Sequence, residues 1–126
     1  MTNFSQLDNR ALGAAGESLV AGILQADGWE IVARNVRVGR FELDIIATDA
    51  DGRLHVIEVK TRRGNNFGDG REAITDQKLR HLRVASARWL AKQDRLWTGG
   101  IAIDCAEVTV LGQTTARVDF LEEVSA

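Results

Sequence analysis

An α/β fold, with a mixed central sheet flanked by helices in the order αβββαβ, is what the residue pattern of this chain predicts. Three observations carry the prediction. Two stretches repeat apolar residues at helical spacing, four others are rich in β-branched residues, and a short Gly-bearing turn joins two of those strands.

The first helix is expected from about Ser5 to Asp27, where Leu12, Ala15, Leu19, Val20 and Ile23 recur on one side and Gly28 supplies a stop. "WEIVARNVRV" (29–38) predicts a strand, and Phe41 to Thr48 and Leu54 to Thr61 predict two more, joined by "DADG". "RGNNFGDG" (63–70) has the glycine and asparagine density of a loop. Thr75 is the expected N-cap of a second helix reaching about Lys92, with Leu79, Leu82, Ala85 and Trp89 on its buried side. "GIAIDCAEVTVL" (100–111) predicts a further strand, and "ARVDFLEE" (116–123) a last strand or a short helix.

With 126 residues the chain is expected to form one domain, spanning 1–126, and to bury a sizeable core without disulfide or structural metal. No apolar run of about 18 residues is present to span a membrane, and "MTNFSQLDNR" lacks the basic-then-apolar pattern of a signal peptide. The single cysteine, Cys105, excludes an internal disulfide and a Cys-rich zinc site, and its apolar neighbours predict a buried thiol. A cytoplasmic location is the expectation. His55 and His81 pair with no cysteine, so zinc is not expected, and the glycines of the loop are followed by no Gly-Lys-Ser/Thr, so it is no P-loop.

The net charge of −2 hides a strong asymmetry. Residues 1–52 hold four Lys/Arg against eight Asp/Glu, 53–95 hold eleven against five, and 96–126 hold one against five. The basic middle is either a polyanion footprint or a solvated helix face; charge alone leaves both open. Arg62, Arg63, Arg71, Lys78, Arg80 and Arg83 are its candidates for sequence-blind phosphate contacts.

The turn between the second and third strands allows a geometric expectation. If Ala50-Asp51-Gly52 is a three-residue loop with Gly52 left-handed, Asp49 faces Arg53 and opposed residues have numbers summing to 102. Asp44 then faces Glu58, and Glu42 faces Lys60. Like charges opposed in a half-buried sheet are unfavourable, and a divalent cation is a natural way to offset them. Mg²⁺ or Mn²⁺ held by Asp44, Glu58 and the Val59 carbonyl would polarise a phosphodiester and activate water, with Lys60 steadying the attacking hydroxide. The plainer alternative is a Glu42–Lys60 ion pair beside a solvated Asp44 and Glu58, and spacing does not separate the two.

Asp44, thirteen residues, and then Glu58-Val59-Lys60 resembles the PD-(D/E)xK motif of restriction-endonuclease-like nucleases. Together with "GAAGESLVAGILQADGWEIVARNVRV", "FELDIIATD" and the segment from "LHVIEVKTRR" to "ARWL", it resembles the YraN-like family of small bacterial proteins over roughly residues 10 to 120. The resemblance implies a restriction-endonuclease-like domain related to archaeal Holliday junction resolvases. It further implies a Mg²⁺-dependent nuclease acting on DNA, branched DNA included, and a homodimer; a non-catalytic nucleic-acid binder is the alternative on the same fold. By the same resemblance Asp44 and Glu58 are metal-binding acids, Lys60 the motif lysine, Glu17 the helix acid that reaches the site, and Gln77 and Lys78 residues near it. The chain departs from the family pattern at Phe41, where glycine is usual, and at Ala102, where arginine is usual. Phe41 is expected to narrow the approach of a polymer backbone, and Ala102 to remove one phosphate contact.

Overall fold

The computed structural model describes residues 2–64 and 74–122. Its elements are α1 (Asn9–Ala26), β1 (Glu30–Val38), β2 (Phe41–Thr48), β3 (Leu54–Arg63), α2 (Asp76–Ala91), β4 (Ile101–Val110) and β5 (Ala116–Leu121). The five strands lie in sequence order in one sheet. The β3–β4 pair is parallel and the other three are antiparallel, so the sheet is mixed as expected. Parallel neighbours need a crossover, and α2 supplies it. The expected αβββαβ order is present, and residues 116–121 resolve as a strand that extends the sheet.

Helix boundaries follow from their caps. Asp8 accepts a hydrogen bond from Ala11 N (2.8 Å), so α1 begins after Asp8 rather than at Ser5. Gly28, at φ +89°, takes the left-handed position just past its end. Thr75 Oγ1 accepts from Lys78 N (3.1 Å) and starts α2 where the sequence placed its cap.

The helices lie on opposite faces of the sheet. Val20, Ala21 and Leu24 of α1 pack on Ile45, Ala47, Ile57, Ala106 and Val108. Leu82, Ala85 and Trp89 of α2 pack on Ile46, Leu54, Val56 and Ile103. Alternation along β3 therefore sends Val56 towards α2 and Ile57 towards α1. Glu58, next on the Val56 side, faces α2. Cys105 is buried in β4, and burial above all pushes its thiol up to about 11.

Close approach of α1 to β3 depends on Gly16. A Cβ there would lie 1.9 Å from Thr61 Oγ1 and 3.1 Å from Thr61 Cβ, so only glycine lets the backbones come together. The next residue is Glu17. No helix among the described residues is long and apolar enough to cross a membrane.

Candidate active site

The β2–β3 hairpin sets the site. Gly52 has φ +86°, Gly52 N donates to Asp49 O (2.9 Å), and Asp49 N donates to Arg53 O (3.0 Å), closing the expected three-residue loop. Observed pairs are Thr48↔Leu54, Ala47↔His55, Ile46↔Val56 and Ile45↔Ile57. Their numbers sum to 102. The regular ladder stops there, and the next facing positions are Asp44 and Glu58. Asp44 Oδ2 accepts from Val59 N (2.9 Å), so the aspartate side chain takes over where the backbone bonds end.

This places two carboxyl groups together. Glu58 is buried, at 7% exposure. The Asp44 carboxyl is pushed up to about 7, first by burial and then by the Glu58 charge, against the Val59 hydrogen bond. Glu17 is raised as well, by burial and by Glu42, while Arg34 opposes the shift. Glu17 charge reaches both Asp44 and Glu58.

Asn35 is a part of the site that the sequence did not announce. It lies in β1 between the Arg34↔Ile45 and Val36↔Leu43 pairs, beside Asp44, with φ +51°. Asparagine is among the few side chains that tolerate this conformation. With the amide turned so that nitrogen faces the acids, it donates to Glu17 Oε1 (2.5 Å) and Glu42 Oε1 (3.2 Å). It thereby tethers two of the surrounding carboxylates.

The lysines differ from expectation. Lys78 Nζ, at the start of α2, lies 2.6 Å from Glu58 Oε1. Lys60 is exposed and makes no ion pair among the described residues, and in register it faces Glu107 across β3–β4. The expected Glu42–Lys60 pairing does not form, because the β2–β3 ladder has ended before either residue. Of the other cations, Arg62 pairs with Glu107, and Arg63 donates to Phe4 O (2.8 Å) and to Leu7 O, tying down the N-terminal segment. Arg80 and Arg83 are exposed on α2, and Arg71 lies outside the described residues.

An open cleft of about 510 Å³ leads to the acids. Phe41, Glu42, Asp44 and Glu58 line it from the sheet, and Thr75, Gln77, Lys78 and His81 from α2. Phe41 lines this cleft with its ring against His81, centroids 4.7 Å apart with 32° between planes.

On the opposite face, His55 is locked between two aspartates. Its Nδ1 lies 2.7 Å from Asp104 Oδ2 and its Nε2 lies 2.8 Å from Asp49 Oδ2. Burial alone would lower its pKa, but the hydrogen bonds to Asp104 and Asp49 outweigh it and the net shift is upward. This cluster ties the hairpin turn to β4, and it lies too far round the sheet to serve the acids.

The donor set suits a hard cation. Among the described residues no three His, Cys, Asp or Glu side chains converge as a metal cage. Mg²⁺ does not require one: one or two carboxylates, a carbonyl and waters are its usual protein-side ligands. Asp44, Glu58 and the Val59 carbonyl offer that set, and the raised Asp44 carboxyl and the ammonium on Glu58 both mark a place where positive charge is favoured.

Fold and site together define a small α/β domain with an opposed pair of acids at the open end of a hairpin. The chain belongs to the family described as Uncharacterised protein family UPF0102, whose model matches residues 16–121. It is 44% identical over 117 residues to a UPF0102 protein of Nocardia farcinica, covering 93% of this chain and 91% of that protein. It is 38% identical over 125 residues to one of Mycobacterium avium, covering 98% and 97%. The structure of Pyrococcus furiosus SfsA in complex with Ca²⁺ is similar at a TM-score of 0.38 and 15% identity, over 91% of this chain and 64% of that one.

Proposed function

We propose that the protein hydrolyses phosphodiester bonds in DNA, branched DNA included, with Mg²⁺ or Mn²⁺ as cofactor. The observation that carries the reading is the Asp44–Glu58 pair at the end of the hairpin ladder, with Asp44 pushed up to about 7 by burial and by Glu58. A fold that gains only stability from these positions has little reason to oppose two acids there.

A divalent cation held by Asp44, Glu58 and the Val59 carbonyl would polarise the phosphodiester and lower the pKa of a water. The chain's own groups do the rest. The Val59 N–H fixes the orientation of the Asp44 carboxyl, leaving its second oxygen for the site. Glu17, with its raised pKa, holds a proton at higher pH than an ordinary glutamate and can exchange it beside the acids. Lys78 Nζ, the ammonium on Glu58, takes over part of the role first assigned to Lys60. Lys60 shares the Glu58 face of β3 and adds positive charge at the rim. Lys78, Arg80 and Arg83 on α2, with Arg71 before it in sequence, hold the nucleic-acid backbone, whereas Arg62 and Arg63 are engaged by Glu107 and by the Phe4 and Leu7 carbonyls.

One observation favours binding without cleavage as the second reading. The Lys78 ammonium already sits on Glu58, so the chain neutralises this acid by itself. Incubation with branched, single-stranded and duplex DNA in Mg²⁺ or Mn²⁺ decides between them. Cleavage that chelation and Asp44→Ala both abolish supports the nuclease. Cleavage that survives Asp44→Ala contradicts the assignment, and salt-sensitive binding with every substrate left intact establishes the second reading.

A further inference from the structure

The cleft beside the acids does not end at Phe41. It continues into a second hollow of about 630 Å³, whose walls add Gly39 and Arg88. Arg40, Phe41, Gln77 and His81 line both hollows, so the two adjoin along one groove wall. The balance of charge changes along it. Glu42, Asp44 and Glu58, with Lys78 on Glu58, line the first hollow alone, Arg88 lines the second alone, and Arg40 lines both.

Both arginines are placed by rigid elements. Val38 pairs with Phe41, which leaves Gly39-Arg40 as a two-residue β1–β2 turn with positive φ (+60°) at the glycine alone, the pattern of a type II′ turn. Arg40 therefore sits at a fixed hairpin tip. Arg88 comes from the last turn of α2, and a Cβ on Gly39 would lie 4.0 Å from its Nη1. Neither arginine makes an ion pair among the described residues. At the junction of the hollows stand the Phe41 and His81 rings, 4.7 Å apart.

A ligand that matches this groove must present anions at regular intervals and a flat π-face between them. A nucleic-acid strand does so only where its bases are unstacked, because in a blunt duplex the faces are covered by neighbours. We propose that the second hollow is a subsite for one unstacked nucleotide of a single strand, its base against the Phe41–His81 pair and its phosphates on Arg40 and Arg88. The proposal rests on the reading of Asp44 and Glu58 as a phosphodiester site, and it narrows the substrate to DNA with an unpaired segment. Phe41 then works as a wall of the site, where the sequence had suggested an obstruction.

Binding in the presence of EDTA tests the subsite independently of cleavage. The probes are a fluorescein-labelled thymidine oligonucleotide and a blunt duplex of equal length, read by anisotropy over a series of salt concentrations. Phe41→Ala is expected to weaken single-strand binding by about fivefold or more, with duplex binding changed less than about twofold, and Phe41→Trp to restore it. Arg40→Ala with Arg88→Ala is expected to lower the single-strand salt slope by about 1.4, for two lost phosphate contacts. His81→Ala repeats the stacking test should Phe41→Ala fail to fold by circular dichroism. Tight single-strand binding that is indifferent to the aromatic and the arginine variants overturns the subsite and leaves the acids' assignment standing. A wild-type chain that binds neither probe overturns the subsite, and the cleavage assay in Mg²⁺ or Mn²⁺ decides the acids' assignment separately.

Discussion

Replacing Asp44 by asparagine should stabilise the protein at neutral and alkaline pH, although it removes a group assigned to the site. The Asp44 carboxyl rises from 3.8 to about 7 on folding, chiefly through burial and the Glu58 charge. The folded state thus binds this proton more tightly than the unfolded chain, and stability falls as pH climbs from about 4 to about 7 before levelling off. At about 1.36 kcal/mol per pH unit the ceiling of that loss is about 4 kcal/mol. Local relaxation and counterions reduce it, so a gain of about 1–3 kcal/mol is expected for Asp44→Asn at pH 8, and almost none at pH 4. The asparagine carbonyl can still accept from Val59 N, so the hairpin end keeps its hydrogen bond. Urea unfolding followed by tryptophan fluorescence, in EDTA at several pH values, reads the difference. Millimolar Mg²⁺ at pH 8 should stabilise wild type and leave the variant unmoved. A variant no more stable than wild type at pH 8, or one with the same gain at every pH, would refute the claim that the half-buried Asp44 and the buried Glu58 repel here.

Three further outcomes follow from other parts of the molecule. Gly16→Ala should be destabilising by about 1–2 kcal/mol, because overpacking against Thr61 outweighs the better helix propensity of alanine; Gly22→Ala, with nothing within 4 Å of its new Cβ, should gain up to about 1 kcal/mol in the same melt. His55→Ala should cost about 3–5 kcal/mol by removing the buried imidazole that Asp49 and Asp104 share. Because the folded pKa of His55 is raised, its pairing contributes fully below about 6.5 and is lost as pH rises through the folded value, a loss that stability–pH curves should show in wild type and not in the variant. Lys78→Met should tighten Mn²⁺ binding by up to about fivefold in a calorimetric titration, since the ammonium no longer competes for Glu58; weaker binding would show that Lys78 supports the metal site.

The sequence was most informative where structure is local. The three-residue turn, Gly52 included, was legible from "DADG", and the turn alone fixes a register that carries Asp44 to Glu58. The Thr75 cap and the buried side of α2 were equally legible, since both depend on spacing within one element. What escaped depends on how elements approach. Lys60 was the natural partner on the strand, but the lysine at Glu58 comes from α2, whose first turn is carried over the sheet by the packing of Leu82, Ala85 and Trp89. Arg40 and Arg88 come together only because a hairpin tip and a helix end share one groove. Residues 116–121 read as either strand or helix because the partner that decides the matter, β4, is supplied by the fold. His55 and Asp104, 49 residues apart, gave no signal that they would meet in the core.

The central claim, that Asp44 and Glu58 form a divalent-cation site, is tested most directly by a crystal structure of the protein soaked in Mn²⁺ and measured at the manganese absorption edge. An anomalous peak between the two carboxyl groups, within ligand distance of the Val59 carbonyl and with Lys78 Nζ withdrawn from Glu58, is the predicted result. No peak at saturating Mn²⁺, with Lys78 still on Glu58, would contradict it.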